Sequence, residues 1–489
     1  MPHSLEYIFH PRSVAVVGAS ADTTRQGSQY FHILRQHNFP GPVYAVNRAG
    51  GEIDGAVVYP SLSAVPGPVD LVISCVPAAA IVGLVDECVA KGVKVLQSYT
   101  ARFSETGHEE DARLERELVR RAREGGVRVI GPNCMGLYVP AAGLAFKYNM
   151  PKEPGDIAFL SQSGGNAAEI VFITAPRGLR FSKVISFGNG TDLNEADLVE
   201  YLAHDPETRM IGVYLEGARD GRRLVRALRQ AASIKPVVLM KGGRTPAGAR
   251  AVASHTASLA GSQEMWQALS RQVNAIWVSS LEEMADVLVA LRFLPPVRGT
   301  RVAVGGGGGG QMVSSADRCE EAGLQVPPLP QAVRERLREL DPFLWDWVTN
   351  PTDTSILGGS KLTTARVLQL MAEDENYDVV IANVGETFAL DRPEGRARVE
   401  QTVDSIIALA SQVKKPVAAV MGEPYSNFDW HRETLVAMRE RLVAAGLALF
   451  PTPGRAAHAI RLLADYYRAK EETKAKPEEV AVGTTSANT

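Results

Sequence analysis

Three times along this 489-residue chain, a short run of small and β-branched apolar residues ends in glycine and hands over to a helical pattern. The runs are SVAVVGAS at 13–20, IAFLSQSGG at 157–165 and RVAVGGGGGG at 301–310. A continuous apolar run bounded by glycine marks a strand buried on both faces, and such strands belong to parallel sheets covered by helices. Around each junction strands and helices alternate. The first block predicts strands at 42–46, 70–75, 94–97 and 127–130, with helices at 30–36, 79–92 and 109–125 between them. The second predicts strands at 156–160, 183–187, 210–215, 236–240 and 275–278, and the third at 301–304, 379–382 and 416–421. Alternation of this kind predicts three consecutive doubly wound parallel-sheet α/β domains. We place them at 1–150, 151–296 and 297–467, the Pro295–Pro296 pair marking the second boundary. Residues 468–489 are polar and small, and read as a disordered tail.

Composition excludes several functions. The formal net charge is −3, without the basic footprint of a nucleic-acid binder. No apolar run reaches the ~18 residues of a membrane span, and the first ten residues lack the pattern of a secretory signal. The expectation is a cytoplasmic protein without nucleic-acid or membrane partners. Cys75, Cys88, Cys134 and Cys319 form no CxxC pair, which argues against a disulfide framework or zinc site, and no metal ligands are expected.

Each junction carries a candidate site. A glycine turn at Gly18-Ala19-Ser20, with Gln26 and Gly27 at the next helix, would let backbone amides approach a phosphate. The full GxGxxG is absent, and the second strand ends in Asn47-Arg48 rather than the acid of NAD-binding folds. Arg48 suits a ribose phosphate, as in NADP or coenzyme A; a plain surface arginine is the alternative. Ser161-Gln162-Ser163-Gly164-Gly165 would present donors at a helix start, or simply an N-cap and a tight turn. The glycine run, with Gly308, Gly309 and Gly310 at the helix start, is costly to order and suggests close backbone approach by a ligand, a linker being the alternative.

A fourth segment lies apart from the junctions. His255, within SHTASLAG, sits among small hydroxylated residues in the polar stretch 242–261. Imidazole accepts phosphoryl groups near neutral pH when a carboxylate fixes its other nitrogen. Glu216, ending the strand IGVYLEG, is placed for that role beyond the carboxyl edge of a parallel sheet. Helix capping by His255 and a solvated Glu216 are the plainer alternatives.

VAVVGAS, CVPA (75–78), GPNCMG (131–136), SQSGG, YLEG and SHTASLAGS occur in the order seen in NDP-forming acyl-CoA synthetases, relatives of succinyl-CoA synthetase, and the likeness covers residues 5–465. The chain resembles the alpha-type subunit of the ADP-forming acetate–CoA ligase branch. The resemblance implies a Rossmann-like CoA-binding domain and two flavodoxin-like ligase domains, and Asn350-Pro351-Thr352-Asp353 is similar to the family's NPxD segment. It implies a carboxylate, ATP and CoA exchanging with acyl-CoA, ADP and phosphate through an acyl phosphate and a phosphohistidine. His255 would be that histidine on a swinging loop and Glu216 its orienting carboxylate. The starts at Ser161–Gly165 and Gly305–Gly310 would face each other across the phosphate. Gly18, Ala19, Ser20, Gln26, Gly27, Asn47, Arg48, Val76 and Pro77 would hold CoA, its thiol end near Asn133 and Cys134. The three blocks leave no room for an ATP-grasp module, so the resemblance implies a separate beta-type subunit carrying ATP/ADP and Mg²⁺, in a hetero-oligomer. Three positions depart from the family: Asn166 follows SQSGG, Ala257 replaces a glycine of SHTG, and Arg102 stands where glycine is common. They leave open a second function, a CoA or acyl-CoA sensor that keeps the fold without turnover. An NADP-dependent oxidoreductase would use the first domain alone and leave His255 unexplained.

Overall fold

The computed structural model describes residues 5–253, 262–358 and 360–475. The chain forms two compact units, Met1–Arg292 and Phe293–Thr489.

The first unit holds two sheets. One contains β1 (Val14–Val17), β2 (Val43–Val46), β3 (Gly51–Ile53), β4 (Ala56–Tyr59), β5 (Leu71–Ser74), β6 (Val95–Ser98) and β7 (Arg128–Ile130). Its order is β3-β4-β2-β1-β5-β6-β7, parallel throughout except for the β3–β4 hairpin. Counting only the parallel strands, this is the 3-2-1-4-5-6 order of a dinucleotide-type fold, whose crevice opens beyond the carboxyl ends at the centre. Every residue of β1, β5 and β6 is buried, as expected of strands covered on both faces. Each such Val, Leu or Ile contributes about 1.5–3 kcal/mol relative to exposure.

The other sheet contains β8 (Gly136–Tyr138), β9 (Ile157–Ser161), β10 (Phe181–Ser186), β11 (Met210–Leu215), β12 (Val237–Lys241) and β13 (Ile276–Val278). Its order is β13-β12-β11-β9-β10-β8, with β8 antiparallel at the edge. The five parallel strands follow the flavodoxin-like 2-1-3-4-5 order, and the switch point falls between β9 and β11. The chain enters this sheet at Gly136, ahead of residue 151, where the sequence reading sets the boundary. The two sheets are tied by buried polar groups. Asp192, just beyond β10, accepts from Arg123 (2.7 Å), Arg128 (2.8 Å) and the Val129 amide (2.8 Å). Asn189 donates to Glu105 (2.7 Å) and Glu115 (2.9 Å).

The second unit is built on β14 (Val302–Gly305), β15 (Val379–Asn383), β16 (Val417–Val420) and β17 (Ala448–Phe450), parallel and in chain order. Two short stretches close the free edge of β14. Gln325 makes a one-residue parallel bridge to Arg301, and Thr352 bridges Gly305. With Gln325 standing in for a second strand, the order again becomes 2-1-3-4-5. Asn350 acts as a substitute strand: its Oδ1 accepts from the Val304 amide and its Nδ2 donates to the Val302 carbonyl, both at 2.9 Å.

Three local expectations need correction. The β3–β4 hairpin and β8 escape the sequence reading. Part of the polar stretch 242–261 is helical, over Pro246–Ala253. The last helix runs Pro453–Ala475, so the tail predicted from 468 begins as helix. Among the described residues no helix is long and apolar enough to cross a membrane.

Candidate functional site

The carboxyl ends of the first sheet's central strands surround a cavity of about 870 Å³. Gly18 follows β1, Asn47 and Arg48 follow β2, Val76 and Pro77 follow β5, and Gln26 and Gly27 open the helix Gln26–Gln36; all seven line the cavity. Gly18 has a φ of +102°, and a Cβ on Gly27 would lie 2.5 Å from the Gly18 carbonyl oxygen. The helix start therefore presses onto the turn as only glycine allows. The Gln26 Nε2 is buried with no acceptor among the described residues, and a buried donor without a partner costs about 1–3 kcal/mol unless a ligand supplies one. Arg25 and Arg48 add guanidinium groups at the rim. An apolar floor with an orphan donor and two cations fits a long ligand that carries phosphates.

The other residues assigned here from the sequence lie elsewhere. Ala19 is fully buried, and Ser20 is turned to Ser28, whose Oγ donates to its carbonyl at 2.6 Å. Neither Asn133 nor Cys134 is among the lining residues. Cys134 is buried, its Sγ facing the Ser98 and Ile130 carbonyls, and burial pushes its thiol up to about 12. Residues 99–102, beyond β6, line the cavity; Tyr99, Thr100 and Ala101 escape the sequence reading and Arg102 enters it only as a departure from the family, although the rule that ligands gather at carboxyl ends points to all four. Arg102 has a φ of +80°, the left-handed conformation that favours glycine. Its amide is held at 2.6 Å by the Glu105 carboxylate.

The second cluster straddles the switch point between β9 and β11. Ser161 ends β9, and Ser163 caps the helix Gly164–Thr174, accepting from the Asn166 amide at 3.3 Å. The Ser161 hydroxyl donates to the Ser163 carbonyl at 2.7 Å. Gln162 reaches across to β11: its Oε1 accepts from the amides of Glu216 (2.7 Å) and Gly217 (3.3 Å). The carboxylate of Glu216 accepts from the Tyr214 hydroxyl at 3.2 Å. Burial, then the Glu216 carboxylate, push the Tyr214 phenol up, and the Asn166 side chain hydrogen-bonds it. Asn166, a departure from the family pattern, thus joins the Glu216 network. Next to β11, the Gly242 amide is held by the Leu215 carbonyl at 2.8 Å. The chain leaves from there toward His255, which lies outside the described residues, as do Ala257 and the rest of 254–261.

The third cluster is in the second unit. Gly306 and Gly307 turn the chain at φ values of +106° and +84°, and Gly308 caps the helix Gly309–Glu321. Gln311 closes the turn by accepting from the Gly308 amide at 3.2 Å. Asp353 lies against Gly309, where its Oδ2 would be 3.0 Å from an added Cβ. A crevice of about 660 Å³ runs from Gly310 and Gln311, in the helix that follows β14, past Asn383, Glu386 and Gly422 to Pro451, along the carboxyl ends of β15, β16 and β17.

Known proteins share this arrangement. Residues 12–140 match the model of a CoA binding domain, and residues 154–291 that of a succinyl-CoA ligase like flavodoxin domain. Acetate–CoA ligase [ADP-forming] II subunit alpha of Pyrococcus furiosus is 39% identical over 427 residues, covering 86% of this chain and 90% of that one. Acetate–CoA ligase [ADP-forming] I of Archaeoglobus fulgidus is 37% identical over 96% of this chain, which spans 65% of its length. Among solved structures, the dinucleotide forming acetyl-coenzyme A synthetase 1 of Ca. Korarchaeum cryptofilum, in complex with phosphate and ADP, superposes with a TM-score of 0.77 at 31% identity. That match covers 97% of this chain and 99% of the other. Identity at this level, across both sheets of the first unit and on through the second, means that the chain belongs to the ADP-forming acetate–CoA ligase family of acid–thiol ligases and corresponds to its alpha subunit.

Proposed function

We propose that this chain carries the CoA and phosphoryl-relay half of an ADP-forming acyl-CoA synthetase, with His255 as phosphoryl carrier and Glu216 as its orienting carboxylate. The observation that carries the reading is the switch point of the second sheet. A serine-capped helix start and the Glu216 carboxylate stand there on neighbouring strands, beside the point where the chain departs toward His255. CoA occupies the cavity of the first sheet, with Gln26, Arg25 and Arg48 as polar partners. In the direction of ATP synthesis, a phosphate oxygen attacks the thioester carbonyl and CoA leaves as its thiol with one proton. The His255 imidazole then attacks phosphorus and the carboxylate departs. The amides at Ser163–Gly165 hold the phosphoryl oxygens, and those at Gly308–Gly310 offer a second anion site. This is catalysis by positioning and fixed charge. A beta-type ATP-grasp partner supplies ADP and Mg²⁺, and the acyl group is that of a small carboxylate.

The test is labelling of the assembled enzyme with ³²P-phosphate and acetyl-CoA. Wild type becomes labelled at a base-stable histidine, whereas His255→Ala stays unlabelled; label of equal intensity in that variant refutes the relay.

A further inference from the structure

Two lysines of the second sheet are completely buried, and they are buried differently. Lys183 on β10 donates to Asp205 at 2.9 Å and to Glu207 at 2.5 Å. Its charge is balanced on the spot, as an interior ammonium requires. Lys241 is the last residue of β12 and pairs in register with Leu215, the residue before Glu216. Its ammonium donates to the carbonyl of Gly242 and lies 5.9 Å from the centre of the Trp266 ring. Lys183 has aromatic rings at similar distance, Phe9 at 5.8 Å and Tyr201 at 5.9 Å, so the difference is that Lys241 has a carbonyl where Lys183 has two carboxylates. Burial lowers the Lys241 pKa, and the carboxylate opposing that shift is Glu216.

The position of these contacts is informative. Gly242 is where the chain leaves β12, and Trp266 lies on the helix Gln263–Val273 to which it returns. Lys241 therefore touches both ends of the connection that contains His255. A methionine or leucine would fill an apolar interior at lower cost. A cation here has a use if the neighbouring carboxylate must stay ionised and aimed, since an opposite charge close by favours the ionised form.

We infer that Lys241 is a positioning residue for phosphoryl transfer, its charge favouring the ionised form of Glu216 at the end of β11 while its ammonium anchors the turn at Gly242. The inference rests on the relay reading given above and adds to it the residue that sustains its carboxylate.

A double-mutant cycle on the assembled enzyme tests it, with ³²P-phosphate and acetyl-CoA as probes. Lys241→Met removes charge and donor; Lys241→Gln removes the charge but keeps an amide able to donate to Gly242. Melting curves establish that each variant folds, and if Lys241→Met does not, Lys241→Gln decides alone. Each variant is expected to slow labelling about tenfold with the KM for acetyl-CoA unchanged, yet by less than about twofold when Glu216 is already glutamine. Wild-type labelling rates, or equal slowing in both backgrounds, overturn the inference, because a purely structural lysine is indifferent to residue 216. Glu216→Gln labelling at the wild-type rate is a different failure: it removes Glu216 from the relay, and Lys241 with it.

Discussion

The helix starts at 161–165 and 305–310 look alike in sequence and sit alike in structure, each following the first strand of a flavodoxin-ordered sheet. They are nonetheless held differently. At the first, side chains do the bracing: Ser161 and Ser163 tie the turn, and Gln162 reaches to the backbone of Glu216. At the second, two glycines at positive φ make the turn, and the side chains that secure it are Gln311, which accepts from the Gly308 amide, and Asn350, which bonds to β14. The first start faces a network of Asn166, Tyr214 and Glu216, while the second has the Asp353 carboxylate against it. An acid at a helix N-terminus uses the same amides and field that would attract an anion. Two junctions that read as equivalent phosphate cradles therefore differ in what competes for them.

The largest expected effect lies in the backbone of the second junction. A Cβ on Gly306 would stand 1.9 Å from the Asn383 carbonyl oxygen at a φ of +106°. Gly306→Ala should cost ~3 kcal/mol, combining a forbidden conformation with a backbone clash. Denaturant titration should show the second unit unfolding earlier, and an unshifted transition would mean that the turn has an alternative path. The first junction should break through a side chain instead. Gln162→Ala strips the acceptor from the Glu216 and Gly217 amides and should cost about 1–3 kcal/mol. It should also slow histidine labelling, since the backbone of Glu216 loses its brace. Unchanged stability and labelling would show that water replaces the amide at no cost.

How much of this could be read beforehand follows from the physics of each element. Long apolar runs announce buried strands, so β1, β9, β11 and β14 are legible, and with them the places where ligands gather. β3 and β8 are not, because they pair at sheet edges where no apolar run is required, and β4, though apolar, is a four-residue run that is only part-buried. Asn47 and Arg48 are legible because they follow a strand end, and Gln26 because it opens the helix after the first glycine turn. Arg102 was noticed only as an odd residue, and its φ of +80° explains why glycine is the easier choice there. Cys134 is set near the CoA thiol by resemblance alone; burial raises its thiol to about 12, and its Sγ faces the Ser98 and Ile130 carbonyls. Nothing local in the sequence marks Lys241, since a strand ending in lysine usually ends in solvent. It is buried, with the ring of Trp266, 25 residues on, 5.9 Å from its ammonium.

The finest discrimination comes from a matched pair of glycines. Gly165 and Gly310 each occupy the second position of their helix. Neither has a positive φ; an added Cβ would meet only the Ser163 Oγ at 3.8 Å at Gly165, and nothing within 4 Å at Gly310. The fold does not ask for glycine at either place, and alanine should raise helix stability by up to about 1 kcal/mol. Glycine is then explained by something that must come close to the backbone. We expect Gly165→Ala and Gly310→Ala to melt at or above the wild-type temperature while the KM for phosphate in the assembled enzyme rises. The rise should be larger for Gly165→Ala, because Asp353 already weakens anion binding beside Gly309. Equal rises would mean that Asp353 turns away when phosphate arrives. Full activity in Gly310→Ala alone would leave the first junction as the sole phosphoryl station and reduce the glycine run to a turn.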